Sequence, residues 1–584
     1  MKKGLVFILP LAFSLLGTSC GGFVYGDREI SVYRNNDGPD KTIKVRYYED
    51  LKNLPFMKIS EYMTEFLKVT PHVEPVNGGY TYTLDSGAFL NFNFYESSMI
   101  TNDLTAFSSL SVNKDEEESK TFLRLDNVET TEKEARTISL AKYDLKIKDY
   151  DGEVYAPISL LSKLFGGLAM FDVSYNGENL YVYDMESTGE KERSPGYYET
   201  SYNSVLNNLF KGREEDTARY TYNELCFIFD NFKGETTRTI IDNDKMANGL
   251  DYALTTYYPE VKEFLLSTSK IKFYGGLFTL FLGLYDGGHT GILTDFFTLE
   301  ASILLYMTKE SFGALYDAAI QDITIRENIY NALKKAKKDS FGVESENYYF
   351  YNGGTQTAFL GFDSFDVDYK GWDAFYKKSS GIPVNSDSFA YIKDKFDQAK
   401  RDGAKNLILD LTTNGGGDTS ALNGIVGLLN HAKSDMYFKD SFNNYFAREK
   451  YSIDLNLDGE YTDADALITD NYDFNVTIMT SPYSFSCGNY LPSRLKDLGF
   501  KTIGQTSGGG SCAVTFESTA EGISYVRSSH LTLFNEAGQN VDPGVPVDSY
   551  IDAPYTQVDR SDINAASFFD LQNIKYITDS LYSN

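Results

Sequence analysis

One stretch limits the fold of this chain more than any other. Asn406-Leu407-Ile408-Leu409-Asp410-Leu411 is an apolar run broken by a single acid, and it leads into Thr412-Thr413-Asn414-Gly415-Gly416-Gly417. A strand with one solvated face alternates apolar with polar residues. A continuous apolar run instead suits a strand covered on both faces, as in a sheet with helices packed above and below. The neighbouring segments keep the same rhythm. Strands are expected at Lys405 to Leu411, Asn475 to Met479 and Thr502 to Gly504, with helices at Thr419 to Asn430 and Leu491 to Leu498. The C-terminal part of the chain therefore reads as an α/β domain around a buried sheet.

The whole chain has 584 residues, which at roughly 150 per domain gives a prior of three or four domains. Its 42% apolar content is enough for a core of ordinary size and excludes wholesale disorder. Asp and Glu total 83 against 54 Lys and Arg, a formal charge of −29. That surface repels phosphate backbones and excludes a general nucleic-acid binder. Four Cys are too few for a disulfide scaffold. At the N-terminus, Lys2 and Lys3 precede an apolar run from Leu5 to Leu16, and Gly17-Thr18-Ser19-Cys20 follows. The run is too short for a spanning helix and reads as an export signal, residues 1–20. It resembles a bacterial lipoprotein signal, which implies lipidation of Cys20 and anchorage on the outer side of a bacterial membrane, at the cell surface or facing the periplasm.

Residues 21–195 read as an N-terminal α+β accessory domain. Strand patterns lie at Asp27 to Tyr33, Tyr80 to Leu84, Ala88 to Phe92 and Tyr143 to Ile147. A Pro-led helix is expected at Ile158 to Phe165, and a hairpin at Phe171 to Tyr175 with Asn179 to Asp184. This order resembles, over about residues 27 to 190, the small N-terminal domain of copper amine oxidases, reused in many bacterial surface proteins. It carries no copper chemistry and implies a spacer or binding module. A polar linker is expected at Ser187 to Ser204. Residues 205–345 read as a helical region, with helices at Glu260 to Leu266, Ala301 to Met307 and Arg326 to Lys338. The last ends in the basic cluster Lys334-Lys335-Ala336-Lys337-Lys338, expected as a solvated helix face. Residues 346–570 form the α/β core.

Three segments bear on chemistry. The Gly415 to Gly417 run frees backbone N–H groups to face a ligand, and its spacing matches neither a dinucleotide fingerprint nor a phosphate loop. In Ser481-Pro482-Tyr483-Ser484-Phe485-Ser486-Cys487-Gly488-Asn489, a Ser opens a helix, where it is either a nucleophile beside helix-start N–H groups or an ordinary cap. In Leu282 to Gly291, His289 sits on the glycine turn Asp286-Gly287-Gly288-His289. A serine nucleophile needs a base, and His is the usual one near neutral pH. Of the four His, His289 is the candidate and His530 its rival, while His72 and His431 read as surface residues.

Together the three segments resemble the C-terminal-processing and tricorn superfamily of serine peptidases, over about residues 205 to 560. Asp410 to Gly417 is similar to the family's Asp-Leu-Arg-x-Asn-x-Gly-Gly run, with Thr412 in place of Arg. Ser486 matches the nucleophile, Gly504 to Gly510 the later Gly-rich run, and Asp542 to Asp548 the C-terminal run. The resemblance implies a crotonase/ClpP-like core, a peptide or protein substrate, no required cofactor, and an exported serine endopeptidase acting through an acyl-enzyme. It further implies an oxyanion hole from the N–H groups of Gly416 and Cys487. Gly509 and Gly510 stand where the processing branch has its catalytic Lys, so the tricorn-like Ser–His arrangement fits better. Asp542 is then the acid expected to orient His289, with Glu536 and Glu521 as other choices. Asn489 stands where the family has Glu. A non-catalytic peptidase-like surface lipoprotein that binds its ligand is the alternative.

Two further expectations concern stability. Cys487 and Cys512 flank Gly-rich segments of an exported chain, so a disulfide between them is expected. In Asp454 to Asp465, oxygen side chains of Asp454, Asn456, Asp458, Thr462 and Asp465, with the Glu460 carbonyl and a turn at Gly459, follow the spacing of a calcium loop.

Overall fold

The computed structural model describes residues 26–34, 38–108, 121–150, 152–166, 171–184, 212–234, 236, 239–292 and 299–583. The export signal with Cys20, the charged run 113–120 and the expected linker 187–204 lie outside the described residues. Among the described residues no helix is long and apolar enough to cross a membrane.

The site is built on a six-stranded mixed sheet. Its spatial order is Tyr348–Asn352, Thr357–Gly361, Asn406–Asp410, Asn475–Thr480, Lys501–Gly504 and Ser549–Tyr550. The first pair is antiparallel and the rest are parallel, with Asp410 opposite Met479 and Thr480 opposite Gly504. Asn406–Asp410 is buried along its whole length, as its unbroken apolar run requires. Leu407 and Leu409 face one side, packed with Phe389, Ile425 and Leu491 from the helices Ser388–Asp402, Thr419–Leu429 and Cys487–Asp497. Ile408 faces the other side with Ile329, Leu333 and Ile574, from the helices Leu299–Phe341 and Leu571–Tyr582. The period-2 alternation thus feeds two apolar layers rather than one layer and solvent.

Helix starts follow local chemistry. The Asp387 and Asp418 carboxylates accept from Ala390 N and Ser420 N at 2.8 and 2.7 Å, closing the first turns of two helices. The helices expected at Ala301 to Met307 and Arg326 to Lys338 are one element, Leu299–Phe341, kinked at Phe312 (φ −134°, ψ 31°). No Pro separates them, and the lone Gly313 beside the kink is a residue a helix tolerates.

The N-terminal part forms a seven-stranded and a five-stranded sheet. The helix Ile158–Phe165 and the antiparallel hairpin Phe171–Tyr175 with Leu180–Asp184 stand where the sequence places them. Tyr143 to Ile147, read as a strand, instead begins with the single 3-10 turn Ala141–Tyr143. An accessory domain ending near 195 is not a separate packing unit. One apolar core joins Val32, Phe56 and Leu160 to Phe227, Leu277 and Tyr525, and the strand Leu123–Thr130 pairs with Tyr445–Ile453. That strand completes a sheet with Lys433–Asp440, Ser524–Phe534 and Gly291–Ile292, to which Cys512–Ser518 adds.

Candidate active site

The loops leaving the C-terminal ends of the parallel strands carry the candidate site, the usual place for ligands in open α/β sheets. After Asn475–Thr480 the chain turns through Ser481 to Phe485. Ser481 Oγ donates to Thr412 O and Ser484 Oγ to Leu411 O, both at 2.7 Å, so these two hydroxyls are spent on structure. Ser486 follows at φ 56°, ψ −122°, a conformation that L residues rarely hold. Such strain costs about 1–3 kcal/mol and persists only where the surroundings fix it. Here Phe485 N donates to Asn414 O at 3.1 Å and Ser486 N to Gly509 O at 2.9 Å. Ser486 opens the helix Cys487–Asp497 without a capping hydrogen bond from its side chain, so its hydroxyl is not used as an ordinary cap.

The glycine loop lies against this turn. A Cβ on Gly416 would sit 2.4 Å from Ser486 Cβ and 3.0 Å from its Oγ, so only Gly fits there. Its N–H, expected in the oxyanion hole, instead donates to Asn414 Oδ1 at 2.9 Å. Asn414 is itself held by donation from its Nδ2 to Phe362 O at 3.0 Å. Cys487 begins the helix, and its N–H is one of the first-turn donors that a helix leaves unpaired. The expected Cys487–Cys512 bridge does not form. Both are buried thiols. Cys487 Sγ donates to Gly417 O at 3.1 Å, whereas Cys512 Sγ lies 3.6 Å from Thr532 Oγ1 on another sheet. Burial raises both thiols, Cys512 to about 12, so neither is a reactive thiolate.

Asp410, at the end of its strand, anchors the glycine loop from below. One oxygen accepts from Thr412 N and Oγ1 at 2.9 and 2.6 Å, the other from Tyr348 OH at 2.7 Å. Lys337 Nζ approaches at 3.3 Å, and the two side chains are 2% and 0% exposed. This lysine belongs to the basic cluster expected to be solvated, and it is buried instead. Removing one member of a buried ion pair costs about 3–5 kcal/mol, because the other charge stays buried. K337M should therefore lower the urea midpoint sharply, and a K337M/D410N double variant should recover part of the loss. A K337M chain as stable as wild type would show that the pair is not holding this loop.

His289 arrives from another part of the chain. The helix Lys270–Gly283 ends just before its turn. Asp286 shapes that turn: Oδ1 accepts from His289 N and Thr290 N at 3.0 and 2.8 Å. Its Oδ2 accepts from Thr290 Oγ1 and Ser528 Oγ, both at 2.7 Å, which fastens the turn to the strand Ser524–Phe534. The imidazole is 8% exposed and meets the Phe485 ring edge-on at 4.7 Å, one residue before Ser486. Burial lowers its pKa, against Asp286 and Asp542, while Arg326 adds to the lowering. Asp542 is thus within electrostatic reach of the ring, but Nδ1 is enclosed without a hydrogen-bond partner, so the expected Asp542–His289 bond is not made. Asp542 Oδ1 accepts from Ser511 N at 3.2 Å instead.

His530 lies elsewhere, packed against the Phe232 and Phe442 rings, with Asp440 at 3.8 Å. His72 and His431 are exposed beside Glu74 and Asp470. Glu521 pairs with Arg213, and the Glu536 backbone N–H donates to Asp497. Two cations escape sequence reading. Lys233 follows the helix Glu215–Phe232, its pKa lowered by burial against the pull of Asp286 and Asp542. Arg326 reaches over Phe485 from the kinked helix. Neither sits in a motif, and nothing local marks them.

The acidic loop closes on itself. Asp454 accepts from Asp458 N, Gly459 N and Tyr376 OH, and Asp465 from Asn456 N and Thr462 N. Asn456 and Asp458 accept from Asp458 N and Glu460 N. Among the described residues no group of three or more His, Cys, Asp or Glu side chains is placed to hold a metal. The oxygens read as calcium ligands are engaged as turn and capping acceptors.

A strained serine thus lies between a glycine loop and a helix start on an α/β sheet, with a buried histidine against the residue before it. Residues 380–551 match the family model of Peptidase family S41. Over this segment the chain is similar to that family of peptidases. No curated protein matches the sequence at a significant level. Among solved structures, a candidate peptidase from Parabacteroides merdae shares 17% identity over 61% of this chain and 96% of its own, with a TM-score of 0.37. The photosystem II D1 C-terminal processing protease shares 17% identity over 41% of this chain and 50% of its own, with a TM-score of 0.26. A lipoprotein from Streptococcus agalactiae shares 13% identity over 62% of this chain and 96% of its own, with a TM-score of 0.32. The likeness to the family rests on the sequence segment and not on these partial superpositions.

Proposed function

We propose that this chain is an exported, lipid-anchored serine endopeptidase. Ser486 attacks a peptide carbonyl, His289 takes its proton, and water later releases the acyl-enzyme. One observation carries this reading: Ser486 is held at φ 56° against Gly416, with its side chain not engaged as a helix cap. The Cys487 N–H at the helix start is the natural first oxyanion donor, and Gly416 joins it if its N–H turns from Asn414. Asp542 would orient the imidazole once it is brought to Nδ1. Export and lipidation at Cys20 rest on the N-terminal sequence alone.

The pH profile tests the base. A base must be neutral, and burial lowers the His289 pKa from its ordinary 6.5. The rate on a quenched fluorescent peptide library should therefore rise with pH through a midpoint below 6.5 and then level off. A midpoint near a lysine value would assign the base to another group. Binding without turnover is the second reading, favoured by the unpartnered His289 Nδ1. Wild-type protein that binds the library and never cleaves it would select that reading.

A further inference from the structure

Helix Leu299–Phe341 lies over the nucleophile turn and presents one unmatched cation to it. The Arg326 guanidinium carbon is 4.9 Å from the Phe485 ring centroid and 5.5 Å from that of Tyr483. One helical turn on, the Tyr330 ring packs against Tyr483, tilted by 40° at 5.0 Å. Phe485 is therefore shared: His289 meets its ring at 4.7 Å and Arg326 covers it from the helix. The charge of Arg326 is felt at the imidazole.

Among the described residues the arginine has no acid. The three buried arginines among the described residues each hold a carboxylate: Arg213 pairs with Glu521, Arg494 with Asp497 and Arg527 with Glu517. Among the described residues Arg326 pairs with none, and its Nη1 is enclosed without an acceptor. Scarcity of acids does not explain this, because they outnumber Lys and Arg by 83 to 54. Stacking on rings engages the face of a guanidinium, and Arg326 is only partly buried, so its N–H groups beyond Nη1 are left to meet a carboxylate. A cation left unpaired one residue from the nucleophile, in a strongly acidic protein, is a receptor for an anion that arrives with the substrate.

We propose that Arg326 binds a peptide carboxylate close to the scissile bond, and so selects substrates that carry a negative charge there. This rests on the peptidase reading for the identity of the ligand, but the binding itself does not need turnover. The carboxylate is either the free end of a chain or an Asp or Glu side chain.

The test uses full-length S486A protein and three N-terminally labelled octapeptide libraries, read by fluorescence anisotropy. The first lacks Asp and Glu and has a free C-terminus, the second is its C-terminal amide, and the third is the amide with one Glu at each position in turn. S486A should bind the first or the third about tenfold or more tighter than the second, as charge-assisted hydrogen bonds allow. The preferred library tells chain end from side chain. R326Q on this background should abolish the difference, and R326K, which keeps the charge and loses the fork, should retain a fraction of it. Equal weakening of acid and amide libraries by R326Q, a preference that survives R326Q, or no preference at all would overturn the proposal. Wild-type chain that resists a fluorophosphonate while the Arg326-dependent preference holds would remove the peptidase reading and leave the carboxylate site standing.

Discussion

Ser486→Ala is expected to reduce peptide hydrolysis on the order of 10⁶-fold, the loss seen when a serine peptidase gives up its nucleophile. No neighbour can replace it. The hydroxyls of Ser481 and Ser484 are buried and committed to Thr412 O and Leu411 O, and Ser507 Oγ donates to Asn489 Oδ1 at 2.6 Å. Loss of activity must be separated from loss of fold, and the backbone provides the means. Ser486→Gly removes the side chain that makes φ 56° costly, so it should be as inactive as S486A yet more stable by about 1 kcal/mol. Steady-state rates and melting curves on both variants check this. An active S486G chain would end the assignment of the nucleophile.

His289→Ala should lower kcat/KM by about 10²–10⁴-fold, the usual worth of a general base. His530→Leu should keep most of the rate. Both histidines are buried and have lowered pKa values, so burial does not choose between them. Position does: His289 touches Phe485 beside the nucleophile, whereas His530 is enclosed by Phe232 and Phe442 on the sheet behind. Rates measured on the two variants in parallel decide the matter, and the reverse ranking would move the base to the strand Ser524–Phe534.

Particular residues explain which parts of this were legible in the sequence. The run Asn406 to Asp410 announced a sheet covered on both faces because its side chains alternate between two apolar layers. Ser486 stood out because it opens a helix after a strand, and His289 because a Gly-rich turn carries it; a Cβ at Gly416 or Gly510 would strike Ser486 or Phe485. Lys337 was hidden inside a basic cluster. Only its helical spacing from Leu333 and Ile329, four and eight residues back, puts it on the apolar face toward Asp410. Hydrogen-bond direction left no trace in the sequence either. Gly416 and Asp454 have the residue types for an oxyanion hole and a calcium loop, yet their groups are bound by Asn414 and by the loop's own N–H donors. The bridge between Cys487 and Cys512 failed for a similar reason. Closeness in a motif-rich region says nothing about which sheet each thiol faces.

The central claim is that Ser486 is an activated nucleophile, and covalent labelling tests it most directly. Folded full-length protein treated with a biotinylated fluorophosphonate, digested and mapped by mass spectrometry should carry the adduct on the peptide containing Ser486. Labelling should vanish in S486A and fall steeply in H289A. A folded wild-type chain that takes up no probe, or one labelled at a serine other than Ser486, would contradict it.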